Sequence, residues 1–301
     1  MIYTIYHKTE FDYESIVTFS HNIARLKPKN TRFQKLLSFS MQTEPTVYEE
    51  SDFVDIFGNY NSHILIREAH KSLSLIGHSK VEIFPDSLAT HIADVRSKSV
   101  TYAQAQEILS GFTCNDTSVK LFMPESEFIP KASKRIQEYA LESFSPSRDL
   151  FEAAYEFMNR IYADFKFVSG FSDVMTPIED IFDAKQGVCQ DFTQFAIAAL
   201  RSIGLPARYM SGYIETIPKE GEKKLFGVDA SHAWFALYIP NAGWIGLDPT
   251  NNVIPTSQHI LLGSGRDYND ISPLKGVVFS SGKSDLSIMV DVRREDSIFY
   301  S

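Results

Sequence analysis

The stretch GVCQDFTQFAIAALRSIGLPARYMSGY, residues 187–213, decides how the rest of the chain is read. Phe192, Phe195, Ala196, Ala199, Leu200 and Ile203 recur at helical spacing and mark a buried stripe. Gly204, with Pro206 two residues on, predicts where the helix stops. That register puts Cys189 at the helix start, where unpaired backbone N–H groups and the positive end of the helix dipole favour an anion. The thiolate is the nucleophilic form of cysteine, so the position alone raises reactivity. Gly187 either clears space for an approaching substrate backbone or serves an ordinary turn. An inert buried cysteine is the competing reading, because free cysteines are among the most buried residues.

Working outward, SHAWFALYIPNAGWIGLDPTNN at 231–252 supplies partners for that sulfur. His232, Trp234, Ala236 and Tyr238 alternate with Ala233, Phe235, Leu237 and Ile239, which is the period of a strand. PNAG at 240–243 predicts a turn, and WIGLD a returning strand that ends at Pro249. His232 lies eight residues before position 240 and Asp248 eight after it, so the hairpin brings imidazole and carboxylate roughly level. Thiol, imidazole and carboxylate are the nucleophile, base and orienter used for acyl transfer. Taken singly each has a plainer reading: a structural histidine, and an aspartate bonded to its own turn.

Composition removes several alternatives. The 301 residues are 44% hydrophobic and 22% charged, enough to build a core without staples, and the formal charge of −9 argues against a nucleic-acid partner. No window approaches the roughly 18 apolar residues that span a bilayer, and the start lacks the pattern of an export signal. A cytoplasmic, unprocessed chain with no membrane partner is expected. Cys114 and Cys189 are then expected to be reduced. The eight histidines show no HxH or HExxH spacing, there is no CxxC, and GSGRDYND at 263–270 lacks the spacing of a nucleotide loop. No metal and no cofactor are expected, and GSGRDYND reads as a loop at the cleft mouth.

The amino-terminal part reads as antiparallel strands, including Ile2–Tyr6, Ile64–Ile66, Leu73–Ile76 and Val81–Ile83, with FGNYNS at 57–62 and GHSK at 77–80 as hairpin connections. After PDS at 85–87 the period turns helical. Ala132, Ile136, Tyr139 and Ser143 mark one stripe, and Leu150, Ala154, Phe157, Ile161 and Phe165 a second, with Ser147 as its cap and SFSPS at 143–147 as the break. These aromatic stripes read as core. Trp234 and Trp244 read as sheet packing or as walls of a cleft. The expected organisation is a β-rich domain over 1–95, a helical connection over 96–144, and a core over 145–301 with a C-terminal strand extension.

In this order, the two quoted segments resemble the core of the bacterial transglutaminase-like superfamily, over about residues 145–292. NIARLKP at 22–28 and DIFGN at 55–59 resemble the β-rich domain that precedes that core in bacterial members. The resemblance implies an α+β, papain-like fold: a helix bearing the cysteine packed on an antiparallel sheet bearing the histidine and aspartate. It places Cys189, His232 and Asp248 on the family's catalytic positions. The implied activity is attack on a protein or peptide amide through a thioester, by a protease or amidase. A protein-glutamine transamidase and a catalytically silent binding module are the alternatives. The backbone N–H of Cys189 is the expected oxyanion donor, with Gln186 and Gln190 considered for a second.

Overall fold

Polar and apolar residues alternate through most of the amino-terminal sequence, and six strands result: β1 (Ile2–Val17), β2 (Ser20–Ala24), β3 (Gln34–Glu44), β4 (Glu49–Val54), β5 (Tyr60–Ile66) and β6 (His70–Ile83). The computed structural model describes residues 1–111, 116–217, 224–227, 229–279 and 281–295. GHSK at 77–80 is not a hairpin. It lies inside β6, hydrogen-bonded to β1 on one side and β3 on the other, so a central strand runs through the expected turn. The other expected turn holds, with Gly58 at φ +74° between β4 and β5.

Helices follow: α1 (Pro85–Ser97), α2 (Tyr102–Ser110), α3 (Thr117–Lys120), α4 (Lys134–Leu141) and α5 (Leu150–Asp164). Ser133 caps α4, accepting the Ile136 N–H. The cap of α5 is Asp149, not Ser147, and its carboxylate accepts the Glu152 N–H at 3.1 Å. Next come β7 (Lys166–Phe167), α6 (Ile178–Ala184), β8 (Gln186–Gly187), α7 (Cys189–Ser202), β9 (Ala207–Ile214), β10 (Ser231–Ile239), β11 (Gly243–Leu247), β12 (His259–Gly265), α8 (Tyr268–Ile271), β13 (Leu274–Val278) and β14 (Ser284–Arg294).

Two four-stranded sheets, β14-β1-β6-β3 and β13-β2-β5-β4, pack face to face around Val17, Ile64, Ile66, Leu73 and Leu75. Both therefore borrow a strand from the far end of the chain. The C-terminal extension belongs to these amino-terminal sheets: Tyr3 pairs with Arg294 and Ala24 with Leu274. A third sheet, β11-β10-β9-β12, carries α7 on one face. Tyr3, Ile5, Val81 and Val290 pack with Tyr213, Ile260 and Leu262 of this third sheet, so the halves share apolar contact.

The helical stretch before residue 145 packs into the core that follows it. Val95, Tyr102, Ala105, Leu109 and Ile136 share one apolar core with α5, α7 and the third sheet. Within it α7 is central, buried continuously from Asp191 to Leu200. Phe195 lies 4.8 Å from Phe165 and 5.4 Å from Phe182, ring centre to ring centre. Each such fully buried side chain stabilises by roughly 1.5–3 kcal/mol, which holds the start of α7 firmly.

Candidate active site

The chain before α7 is extended at Val188, and Cys189 is the first helical residue, half-buried with a free thiol. The Asp191 carboxylate turns back to accept the Val188 N–H at 2.7 Å and also accepts the Ser172 hydroxyl. Burial pushes this carboxyl up and these two hydrogen bonds oppose it. Gly187 has its reason here. A Cβ at that position would lie 2.7 Å from Asp191 Oδ2 and 2.9 Å from Asp191 Cβ. The glycine makes room for the aspartate that organises the helix start.

His232 and Asp248 come from the expected hairpin. Phe235 pairs with Leu247 and Ile239 with Gly243, with Asn241 at φ +68° in the turn. Continuing that register sets Asp248 opposite Trp234, so the histidine reaches two positions along to meet it. His232 Nε2 donates to Asp248 Oδ2 at 2.7 Å, with His232 7% and Asp248 0% exposed. Cys189 lies close enough to the same ring to shift its titration. Burial disfavours the charged ring, but hydrogen bonds to Asp248 and then Cys189 outweigh it and raise His232 to about 10.

Asp248 holds the His232 ring and also makes its own turn. Oδ1 accepts the backbone N–H groups of Thr250 at 3.0 Å and Asn251 at 3.2 Å, making the turn. Besides His232, Oδ2 accepts Asn251 Nδ2 at 2.7 Å and His259 Nε2 at 3.1 Å. Burial pushes the carboxyl up, yet the hydrogen bonds from His232 and His259 hold it well below the usual carboxylate range.

His259 and Asn251 are the residues that sequence reasoning missed. His259 Nδ1 accepts the Thr256 N–H at 3.2 Å, so Nε2 carries the proton given to Asp248. Burial lowers the His259 pKa and keeps the ring neutral. Its ring reaches Asp248 from β12, which pairs with β9, His259 standing opposite Ile214.

His232, Asp248 and His259 bring ligand-type atoms within 4.8 Å of one another. Both ring nitrogens concerned already donate to Oδ2, so hydrogen bonding accounts for this convergence without a cation. Gln186 and Gln190 make no side-chain hydrogen bond among the described residues. Tyr209 and Tyr268, 6.2 Å apart between ring centres, feel the sulfur: burial first, then the charge of Cys189, raises both hydroxyls and keeps them neutral. GSGRDYND is divided between β12 and α8. Trp234 is buried in the sheet, its ring centre 6.0 Å from that of His232. Cys114 lies outside the described residues.

Residues 3–82 match the bacterial transglutaminase-like N-terminal region, and residues 137–249 match the transglutaminase-like superfamily. An uncharacterized protein of Mycobacterium tuberculosis is 32% identical over 96% of this chain and 92% of its own length. The chain belongs to the transglutaminase-like superfamily. Within it, an uncharacterized protein of Mycobacterium leprae is 30% identical over 96% of this chain and 98% of its own length. A Pseudomonas aeruginosa protein-glutamine gamma-glutamyltransferase is 35% identical over 25% of this chain and 11% of its own length. A candidate cysteine protease from Cytophaga hutchinsonii superposes with a TM-score of 0.74, at 20% identity, over 99% of this chain and 92% of its own. The superfamily's mixed α and β fold, with antiparallel sheets in the amino-terminal region, is therefore present. No helix of the described residues is long and apolar enough to cross a membrane.

Proposed function

We propose that this protein is a cysteine enzyme that transfers acyl groups from amide or peptide bonds, with Cys189 as nucleophile, His232 as proton carrier and Asp248 as the group that orients it. The observation that carries this reading is the buried 2.7 Å hydrogen bond from His232 Nε2 to Asp248, on a ring whose titration the sulfur at the start of α7 also shifts.

The chemistry follows from those roles. The sulfur anion attacks the carbonyl carbon, the C–S bond forms, and negative charge moves to the carbonyl oxygen, toward the outward-pointing N–H groups of the α7 start. Charge collapses back, the C–N bond breaks, and His232 gives its proton to the departing amine. Water then attacks the thioester and gives a proton to His232. The C–S bond breaks and a carboxylic acid leaves. Hydrolysis, as by a protease or amidase, is the leading outcome. An amine in place of water gives a new amide, the reaction named for the Pseudomonas relative.

Alkylation by iodoacetamide, mapped by mass spectrometry, tests the thiol. Cys189 is expected to react well below pH 8 and to become sluggish in His232→Ala. Equal, slow reaction in both chains refutes the enzyme reading and leaves a binding module. A screen of glutamine-containing peptides, with and without a primary amine, then reads hydrolysis against transamidation, with Cys189→Ala as the blank. Turnover is not expected to depend on a metal, and loss of turnover with a chelator would contradict that.

A further inference from the structure

On the third sheet, Arg208 of β9 stands level with Ala236 of β10, and Met210 with Trp234. This face closes with α1 and the Thr31–Gln34 stretch over a cavity of about 510 Å³. The volume suits a small organic ligand. Its walls are mainly apolar, including Phe33, Leu88, Ile92, Met210, Trp234 and Trp244. None of Cys189, His232 and Asp248 lines it, although His259 does.

Two arginines line this apolar space, the exposed Arg32 and Arg208, and no carboxylate does. The Arg208 guanidinium lies 4.4 Å from the Trp244 ring centre, and its Nε is buried with no hydrogen-bond partner. No carboxylate pairs with it among the described residues. The nearby charge is of the wrong sign: burial first and Arg208 second lower the pKa of Lys29. Burial also lowers the Arg208 guanidinium to about 10. At the rim, His91 offers no anion either. Its Nε2–H donates to the Trp244 carbonyl at 2.9 Å, while Nδ1 accepts from the exposed Arg32.

We propose that this cavity binds a small apolar monocarboxylic acid, its carboxylate gripped by Arg208 and its body covered by Trp234, Trp244 and the aliphatic walls. A planar carboxylate matches the guanidinium fork through two parallel hydrogen bonds. With the exposed Arg32 engaged by His91, Arg208 is the cation left to meet a ligand, which suits one negative charge on an apolar body, whereas a polyphosphate needs many more donors. The bound acid reaches the His259 ring, which backs Asp248, so the cavity adjoins the thiol site without being part of it.

Trp234 and Trp244 are the only tryptophans in the sequence, and both line the cavity, so intrinsic fluorescence reports on it directly. The full chain is titrated with 3-phenylpropionate and separately with the neutral 3-phenylpropionamide. A saturable response to the acid is expected, roughly tenfold or more tighter than to the amide, because only the acid engages the charged fork. Arg208→Met is expected to abolish the difference, and Cys189→Ala to retain it, which keeps this test apart from the enzyme reading. If Arg208→Met does not fold, the contrast between acid and amide in the parent chain decides alone. No saturable response to the acid, an amide that binds as well, or a folded Arg208→Met that keeps the preference overturns the proposal.

Discussion

The third sheet and its β11 end hold two charges in opposite circumstances. At the Asp248 carboxylate, both oxygens are occupied: His232, His259 and Asn251 donate to one, and two backbone N–H groups donate to the other. At Arg208 the guanidinium meets an indole face and a cavity, with one nitrogen unpartnered. A buried charge that is fully hydrogen-bonded is costly to disturb, whereas one that is not burdens the fold until something arrives to meet it. The first arrangement is ready for chemistry as it stands. The second is ready for a ligand.

The largest expected effect comes from breaking the first arrangement. Asp248→Asn keeps the shape but puts an amide where two histidine N–H groups need an acceptor. Cys189 alkylation is expected to fall on the order of 10²-fold or more. Asp248→Ala is expected to lose about 3–5 kcal/mol of stability in denaturant unfolding, because the partners are left uncompensated. The pH dependence follows the same bonds. His232 is raised from 6.5 to about 10, so its charged form contributes stability that is fully present below pH 6.5 and is lost as pH rises toward 10. Asp248, held low, contributes stability above its ordinary pKa of 3.8 that is lost on further acidification. Melting temperatures across pH 6.5–10 are expected to fall in the parent chain and to fall less in Asp248→Asn. Identical slopes would count against the coupling.

A smaller effect is expected at His259, which touches Asp248 but is placed for no contact with the sulfur. His259→Phe removes one donor to a charged acceptor and is expected to destabilise by about 1.5–3 kcal/mol. His259→Gln, whose amide can still donate, is expected to recover much of both stability and alkylation rate. A positioning role predicts that rescue; simple filling of space favours Phe instead.

Which parts of this site were legible follows from how far apart in the chain their causes lie. Cys189 was readable because a helix start is announced locally, by the stripe from Phe192 to Ile203 and its stop at Gly204. His232 and Asp248 were readable because a short hairpin turns spacing into proximity. His259 was not, since it reaches Asp248 only because β12 pairs with β9, a long-range choice that no local pattern records. The same limit hid the return of β13 and β14 to the amino-terminal sheets. GHSK at 77–80 misled for a related reason: turn-forming residues tolerate a strand when neighbours on both sides supply the hydrogen bonds. Arg208, at the second position of β9, reads as an ordinary strand residue, and nothing near it in sequence says that it lacks a carboxylate.

The smallest expected effect, and the sharpest test of the comparison, is the sign of the stability change at Arg208. Methionine approximates the length of the arginine stem, needs no hydrogen bonds and packs well against Trp244 and Met210. Arg208→Met removes an unpartnered cation from an apolar wall and also forfeits its contact with the indole face, which is worth about 0.5–2 kcal/mol. Relief from desolvation is the larger quantity, so a net gain of about 1 kcal/mol is expected in denaturant unfolding, opposite in sign to Asp248→Ala. A group that lowers stability yet sits at the edge of a cavity is the pattern expected of a site kept for binding. A clear loss of stability in Arg208→Met would instead mean that the guanidinium already has its partners, and the contrast between the two charges would disappear.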